Sequence, residues 1–163
     1  VHKPKKLKNH IIIVGVHRIG KELINQFKKR FDVVCVEHDP EILKELKKEG
    51  TYHIYGDITN DEILKELDVN KASMIFLTIP DINDQLYVID ETKRKNKNVI
   101  IIGRAHNKHN ALELYNHGAD YVIVPEYISN ATITHIIDKI LKTKKVWKKY
   151  KEKHIEELKK RMY

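Results

Sequence analysis

Ile11-Ile12-Ile13-Val14-Gly15-Val16-His17-Arg18-Ile19-Gly20 is the stretch that decides the fold. An apolar strand runs into a tight glycine turn, and the helix that opens there aims unpaired N–H groups at a phosphate. The next apolar run, Val33-Val34-Cys35-Val36, ends on Glu37, a carboxylate placed at a strand tip to accept from ribose hydroxyls. Its separation from Gly15 is close to the roughly twenty residues such a pairing needs. One position departs from the pattern. The middle glycine of G-x-G-x-x-G, which lets backbone approach a pyrophosphate, is His17 here. The stretch therefore points to a nucleotide more firmly than to NAD in particular.

Outward from this unit, residues 10–141 alternate apolar strand-like runs with helical patterns, six times over. That alternation predicts stacked βαβ units: an α/β, Rossmann-like, doubly wound parallel six-stranded sheet. The expected strands are 10–15, 32–37, 51–55, 73–79, 98–103 and 120–124. Met74-Ile75-Phe76-Leu77 and Val99-Ile100-Ile101-Ile102 are apolar on both faces, as strands covered by helices on each side must be. The punctuation agrees. Asp39-Pro40-Glu41 and Gly50 bound a helix over 40–49, Thr59-Asn60-Asp61-Glu62 has capping-box spacing, Gly118 ends a helix over 110–117, and Ser129 is placed to cap the last one.

The ends differ from the middle. Residues 1–10 hold four lysines and residues 142–163 hold ten Lys or Arg against three Glu, so the net charge of +8 leaves residues 11–141 at −3. This predicts a basic N-terminal linker over 1–9, a nucleotide-binding domain over 10–141 and a basic amphipathic tail helix over 142–163. In the tail Trp147, Tyr150, His154, Ile155, Leu158 and Met162 recur at helical spacing. Two positions suit it: across a partner subunit, or folded back on its own domain. The chain starts at Val1 without an apolar leader, which suggests a piece of a longer protein. At 41% hydrophobic and 33% charged residues, it reads as a globular domain with no bilayer-length apolar run. Its one cysteine, Cys35, lies within an apolar run and reads as a packed thiol in a reducing compartment.

Arg18, at the first helical turn, either forks onto phosphate or lies on the helix surface. Asp57 either contacts the nucleotide or caps the turn that follows it. His17, when protonated, adds positive charge beside phosphate. His106 and His109 sit three apart, but no matching third ligand has an evident spacing, and no metal site is expected.

A wider set of residues resembles a known family. They are His10-Ile-Ile-Ile-Val-Gly15-x-His17-Arg18-x-Gly20, Val36-Glu37-x-Asp39-Pro40, Gly56-Asp57 with Leu64, Lys71-Ala72, Arg104-Ala105 and Gly118-Ala119-Asp120-Tyr121-Val122-Ile123-x-Pro125. In order and spacing they resemble the nucleotide-binding domain called RCK, KTN or TrkA-N, which regulates potassium channels and transporters. The resemblance implies binding of NAD(H) or ATP/ADP, a homodimer that in many members builds a higher-order gating ring, and a membrane-embedded potassium channel or transporter as partner at the cytoplasmic face of the cell membrane. It also implies site roles. Gly15, His17, Arg18, Ile19 and Gly20 would form the phosphate turn, Glu37 would hold ribose, His38 next to it would be a further cofactor-binding residue, and Asp57 with Ile58 would flank the adenine. Thr78, Ile79 and Pro80 would line the far half of the cleft, and Arg104 would reach phosphates. Calcium-gated members place carboxylates where this chain has Arg104 and His106, so no calcium site is implied.

The alternative is a fragment of an NAD-dependent oxidoreductase. The nucleotide fold consumes the whole chain, which leaves neither a substrate pocket nor a proton donor facing a nicotinamide. No catalytic residues are expected. Nucleic acid is not an expected partner either, because the basic ends lack aromatic interleaving or a recognisable motif.

Overall fold

The computed structural model describes residues 6–125, 130–142 and 147–161. Six parallel strands, β1 (Ile11–Val14), β2 (Val33–Glu37), β3 (Tyr52–Tyr55), β4 (Met74–Leu77), β5 (Ile100–Arg104) and β6 (Tyr121–Ile123), lie in the order β3-β2-β1-β4-β5-β6. The strand order reverses between β1 and β4, and there Val14 sits opposite both Val36 and Leu77. A crevice opens at the tips of strands flanking such a switch point.

The helices are α1 (Arg18–Phe27), α2 (Pro40–Lys48), α3 (Asp61–Glu66), α4 (Ile82–Lys95), α5 (Lys108–His117), α6 (Asn130–Lys142) and α7 (Trp147–Lys160). Because side chains alternate along a strand, each strand feeds two apolar layers. Ile12, Val14, Val34, Val36, Ile75 and Leu77 pack beneath α3, α4 and α5. Ile11, Ile13, Cys35, Met74, Phe76 and Ile102 pack beneath α1 and α6. The doubly wound sheet expected from the alternation is the one observed.

The caps fix where each helix starts. Asp39 accepts from the Glu41 N–H at 2.9 Å ahead of Pro40, and Gly50 takes φ +71° just past the end of α2. One cap is corrected. Thr59 does not cap α3; its hydroxyl donates to Asp57 at 2.8 Å, and Asn60 accepts from the Glu62 N–H at 2.9 Å. The capping role expected of Ser129 lies outside the described residues, as do Met162 and the side chain of Trp147.

The two flanks are not free arms where they are described. Leu7 is 1% exposed, and the Asn9 N–H donates to the Lys71 carbonyl at 2.9 Å, so the end of the expected linker is docked. Helix α7 folds back on its own domain, the second of the two positions open to it. It crosses the β6 edge of the sheet: Leu158 and Ile155 pack into the α5 layer, and Tyr150 packs into the other. The His154 ring stacks on Tyr121 with centroids 4.9 Å apart, and its Nδ1 lies 2.7 Å from the Tyr115 hydroxyl. That hydroxyl also accepts from the Val122 N–H at 2.9 Å. Covering a strand edge with a helix hides backbone groups that would otherwise pair with another chain. Among the described residues no helix is long and apolar enough to cross a membrane.

Candidate nucleotide cleft

Gly15 turns the chain out of β1 at φ +80°, and a Cβ built there would sit 2.3 Å from the Thr78 Oγ1. Only glycine fits this bend. The Thr78 hydroxyl lies beneath it, donating toward the carbonyls of Val14 at 2.8 Å and Gly15 at 2.6 Å. Gly20 allows a second close approach, since a Cβ there would lie 3.2 Å from the Gly15 carbonyl oxygen and 3.3 Å from Ile13. Helix α1 thus rests directly on β1, and its start is brought over the strand tip.

That start is open. His17 is its extended N-cap residue and makes no side-chain cap, while the first intrahelical bond is Lys21 N–H to the His17 carbonyl at 3.0 Å. The N–H groups of Arg18, Ile19 and Gly20 have no partner within the helix, and the positive end of its dipole adds to them. No acidic side chain occupies the first turn.

Glu37 stands beside this start, at the tip of β2. Its Oε1 accepts from the Val16 N–H at 2.8 Å, and its Oε2 accepts from the N–H groups of His38 at 2.8 Å and Asp39 at 3.2 Å. The residue is 5% exposed, so these three donors hold a nearly buried carboxylate. An ionised carboxylate offers about four acceptor positions, and the remaining one, on Oε1, suits a hydroxyl donor.

A cleft of ≈ 250 Å³ lies here. Of the expected residues it collects Gly15, His17, Glu37, His38, Asp57, Ile58, Ile79 and Pro80. Val14, Val36, Asp39, Gly56, Asp81 and Asp84 complete the lining. Asp81 caps α4, accepting from the N–H groups of Asn83 at 2.8 Å and Asp84 at 3.1 Å. Asp57 accepts from both the N–H and the hydroxyl of Thr59, and these two bonds hold its carboxyl below the usual range. It does therefore cap its turn while facing the cleft. Partial burial, with the carboxylates of Asp81 and Asp57 nearby, pushes the Asp84 carboxyl up. A more open hollow of ≈ 630 Å³ lies between α5 and α7, but it is a groove between helix surfaces with no strand tip or glycine turn.

Five expected residues contribute differently. Thr78 is 2% exposed and spends its hydroxyl on the turn, and Ile19 is 6% exposed in the α1 layer. Gly20 serves helix packing, so Ile19 and Gly20 offer the cleft backbone N–H groups rather than side chains. Arg18 is exposed on α1 and does not line the cleft. Arg104 ends β5 outside it, its N–H donating to Gln85 Oε1 at 3.1 Å and its carbonyl accepting from Gln85 Nε2 at 2.7 Å. Gln85 was not anticipated. Its Nε2 also donates to the Ile79 carbonyl at 2.9 Å, so one buried amide ties the tips of β4 and β5 and fixes the cleft's far wall. Nothing in its sequence neighbourhood marks it out. Asp39 and Asp81, by contrast, are legible as helix caps, and a cap at a strand tip borders the crevice.

A family model, the TrkA-N domain, matches residues 11–125. The chain belongs to this family. Potassium channel protein 1 of Methanocaldococcus jannaschii is 30% identical over 135 residues, covering 81% of this chain and 40% of its own length. The chain thus spans well under half of that channel protein. Among solved structures, the TrkA-N domain of the inner membrane protein YbaL from Escherichia coli superposes with a TM-score of 0.68 at 25% identity, over 83% of this chain and 98% of that one. The GsuK channel bound to NAD shares the fold, with a TM-score of 0.65 at 24% identity over 74% of this chain and 22% of that one. In the TrkA-N domain described here, the parts that fit a nucleotide are the glycine bend, the uncapped α1 start and the Glu37 carboxylate. The walls are otherwise acidic: among the described residues no lysine or arginine lines the cleft.

Proposed function

We propose that this TrkA-N domain is a regulatory sensor of an adenine nucleotide, NAD(H) or ATP/ADP, within a potassium channel or potassium transporter. The observation that carries the reading is Glu37 and the open N-terminus of α1 on one wall of one cleft, joined by the Glu37–Val16 hydrogen bond. Phosphate would take the N–H groups of α1 and ribose the free acceptor position of Glu37, with Asp57 and Ile58 toward the base. A relative that is a potassium channel protein and a fold neighbour bound to NAD support the same reading.

The domain acts as one of a pair, in a dimer or a larger ring at the cytoplasmic face of the membrane. Bound nucleotide favours one arrangement of the paired domains over another, and the work available is its differential affinity for the two. A coupling of about 1–3 kcal/mol makes a substantial switch. The chain carries out no catalysis in this reading.

Thermal denaturation with NAD, NADH, ADP and ATP tests it. A ligand present at about a hundred times its Kd stabilises by about 2.7 kcal/mol, a rise of several degrees. If none of the four raises the melting temperature, the reading fails.

A further inference from the structure

Because every strand runs the same way, all strand starts share one end of the molecule, and the cleft lies at the other. The two ends carry opposite charge. Asp39, Asp57, Asp81 and Asp84 line the cleft. At the far end Lys8, Lys28 and Lys29 share a groove of ≈ 480 Å³. The hydrogen bond from Asn9 to the Lys71 carbonyl brings Lys71 beside it. The Asn96 side chain, donating to the carbonyls of Val69 at 3.0 Å and Ala72 at 3.2 Å, brings Lys97 up next to Lys71. These five lysines are exposed, and none has an ion-pair partner among the described residues. Two carboxylates, Asp32 and Asp68, oppose them near His10. Arg30, in the same groove, is already paired with Asp138 at 2.5 Å.

We propose that this basic end is a docking surface for the anionic headgroup layer of a phospholipid bilayer. Helix C-termini favour a lysine or two, which accounts for Lys28 and Lys29, but Lys8, Lys71 and Lys97 stand outside any α-helix. The free cations are all lysine, which meets phosphate as a hydrated point charge without the planar fork that reads a specific partner. Lys6, two residues before Lys8 in sequence, is exposed as well. The choice of a bilayer rests on the reading of the domain as part of a membrane transport protein. One consequence is orientation. The field that attracts the lysine end repels the carboxylates of the cleft, so the cleft faces away from the bilayer and stays open to dissolved nucleotide.

Each lysine near an anionic leaflet is worth about fivefold in binding, and the attraction fades within a Debye length. Co-sedimentation of this chain with vesicles of phosphatidylglycerol and phosphatidylcholine, against phosphatidylcholine alone, should show binding to the first only, weakening as salt rises. The variant K8E/K28E/K29E should bind at least about tenfold more weakly. The variant K148E/K149E/K153E, which reverses as many charges on α7, should bind within about threefold of the parent. Loss of binding in the α7 variant with retention in the first places the contact on the tail and overturns the proposal. So does binding to duplex DNA that outcompetes the anionic vesicles, which would make the partner a nucleic acid. Nucleotide-induced thermal shifts measured on the same variants stay at the parent's value, so failure of lipid docking and failure of nucleotide sensing are read separately.

Discussion

Glu37 has two tasks in this structure, and they separate on mutation. Its three backbone donors make it the latch between the glycine bend and the start of α2, and the residue lines the cleft with one acceptor position unused. Glu37→Gln keeps the volume but turns an amide NH₂ toward N–H donors, leaving at least one buried donor unmatched, at a cost of about 1–3 kcal/mol. Urea denaturation should report that loss, and the nucleotide-induced rise in melting temperature should vanish as well. A variant that is less stable yet retains the full rise would show that the acid only latches the turn. The residues most legible in sequence were those whose chemistry has no substitute, Gly15 for the bend and Glu37 for the strand tip. Which way a side chain points was less legible, because a family position fixes where a residue sits in the chain: Thr78 turns its hydroxyl beneath the glycine bend and Ile19 packs its side chain into the α1 layer.

At the scale of the element, α7 closes the sheet. Leu158 is fully buried under it and Tyr121 meets its His154 ring, so the helix adds real apolar burial to the β6 edge. Leu158→Ala should destabilise the chain by about 2–4 kcal/mol, as buried leucine truncations do, with denaturation monitored by circular dichroism. A loss under about 0.5 kcal/mol would mean that the tail is not docked in solution. The amphipathic spacing of the tail was readable in the sequence, whereas its destination was not. A hydrophobic stripe states that a face is covered and leaves the cover unspecified. Helix starts were legible where a recognised cap marks them: Pro40 and Gly50 bound α2 by backbone geometry alone, whereas α5 opens at Lys108, two residues ahead of the expected start, because Asn107 caps it, and Thr59 and Asn60 offer similar oxygens between which only the turn held by Asp57 decides.

The whole molecule should lose stability in mild acid. His10 is buried, with Nε2 2.6 Å from the Leu67 carbonyl and Nδ1 without a hydrogen-bond partner. His154 is half-buried, with its ring stacked on Tyr121 and its Nδ1 2.7 Å from the Tyr115 hydroxyl. Burial holds both imidazoles below their usual range. As pH falls below about 6.5 the unfolded chain takes up these protons before the folded one does, so stability drops until the folded pKa values are reached. Each site contributes a slope of up to about 1.4 kcal/mol per pH unit in that window and nothing above about pH 7.5. Urea midpoints that stay level between pH 7.5 and pH 5 would contradict it. The fold at this scale was the most legible part, because six alternations of a two-residue and a helical period leave few other ways to bury both faces of a parallel sheet. The charge polarity of the molecule was not legible, since lysines far apart in sequence meet only once the strands align.

Cys35 is fully buried at the centre of β2, between Ile13 and His53 on the flanking strands, and burial pushes its thiol up to about 12. It is the only cysteine in the chain. The protein thereby carries a native gauge of its own opening: a dissolved electrophile finds that sulfur only in the moments when the middle of the sheet parts, and the pace of its capture is a clock for those moments.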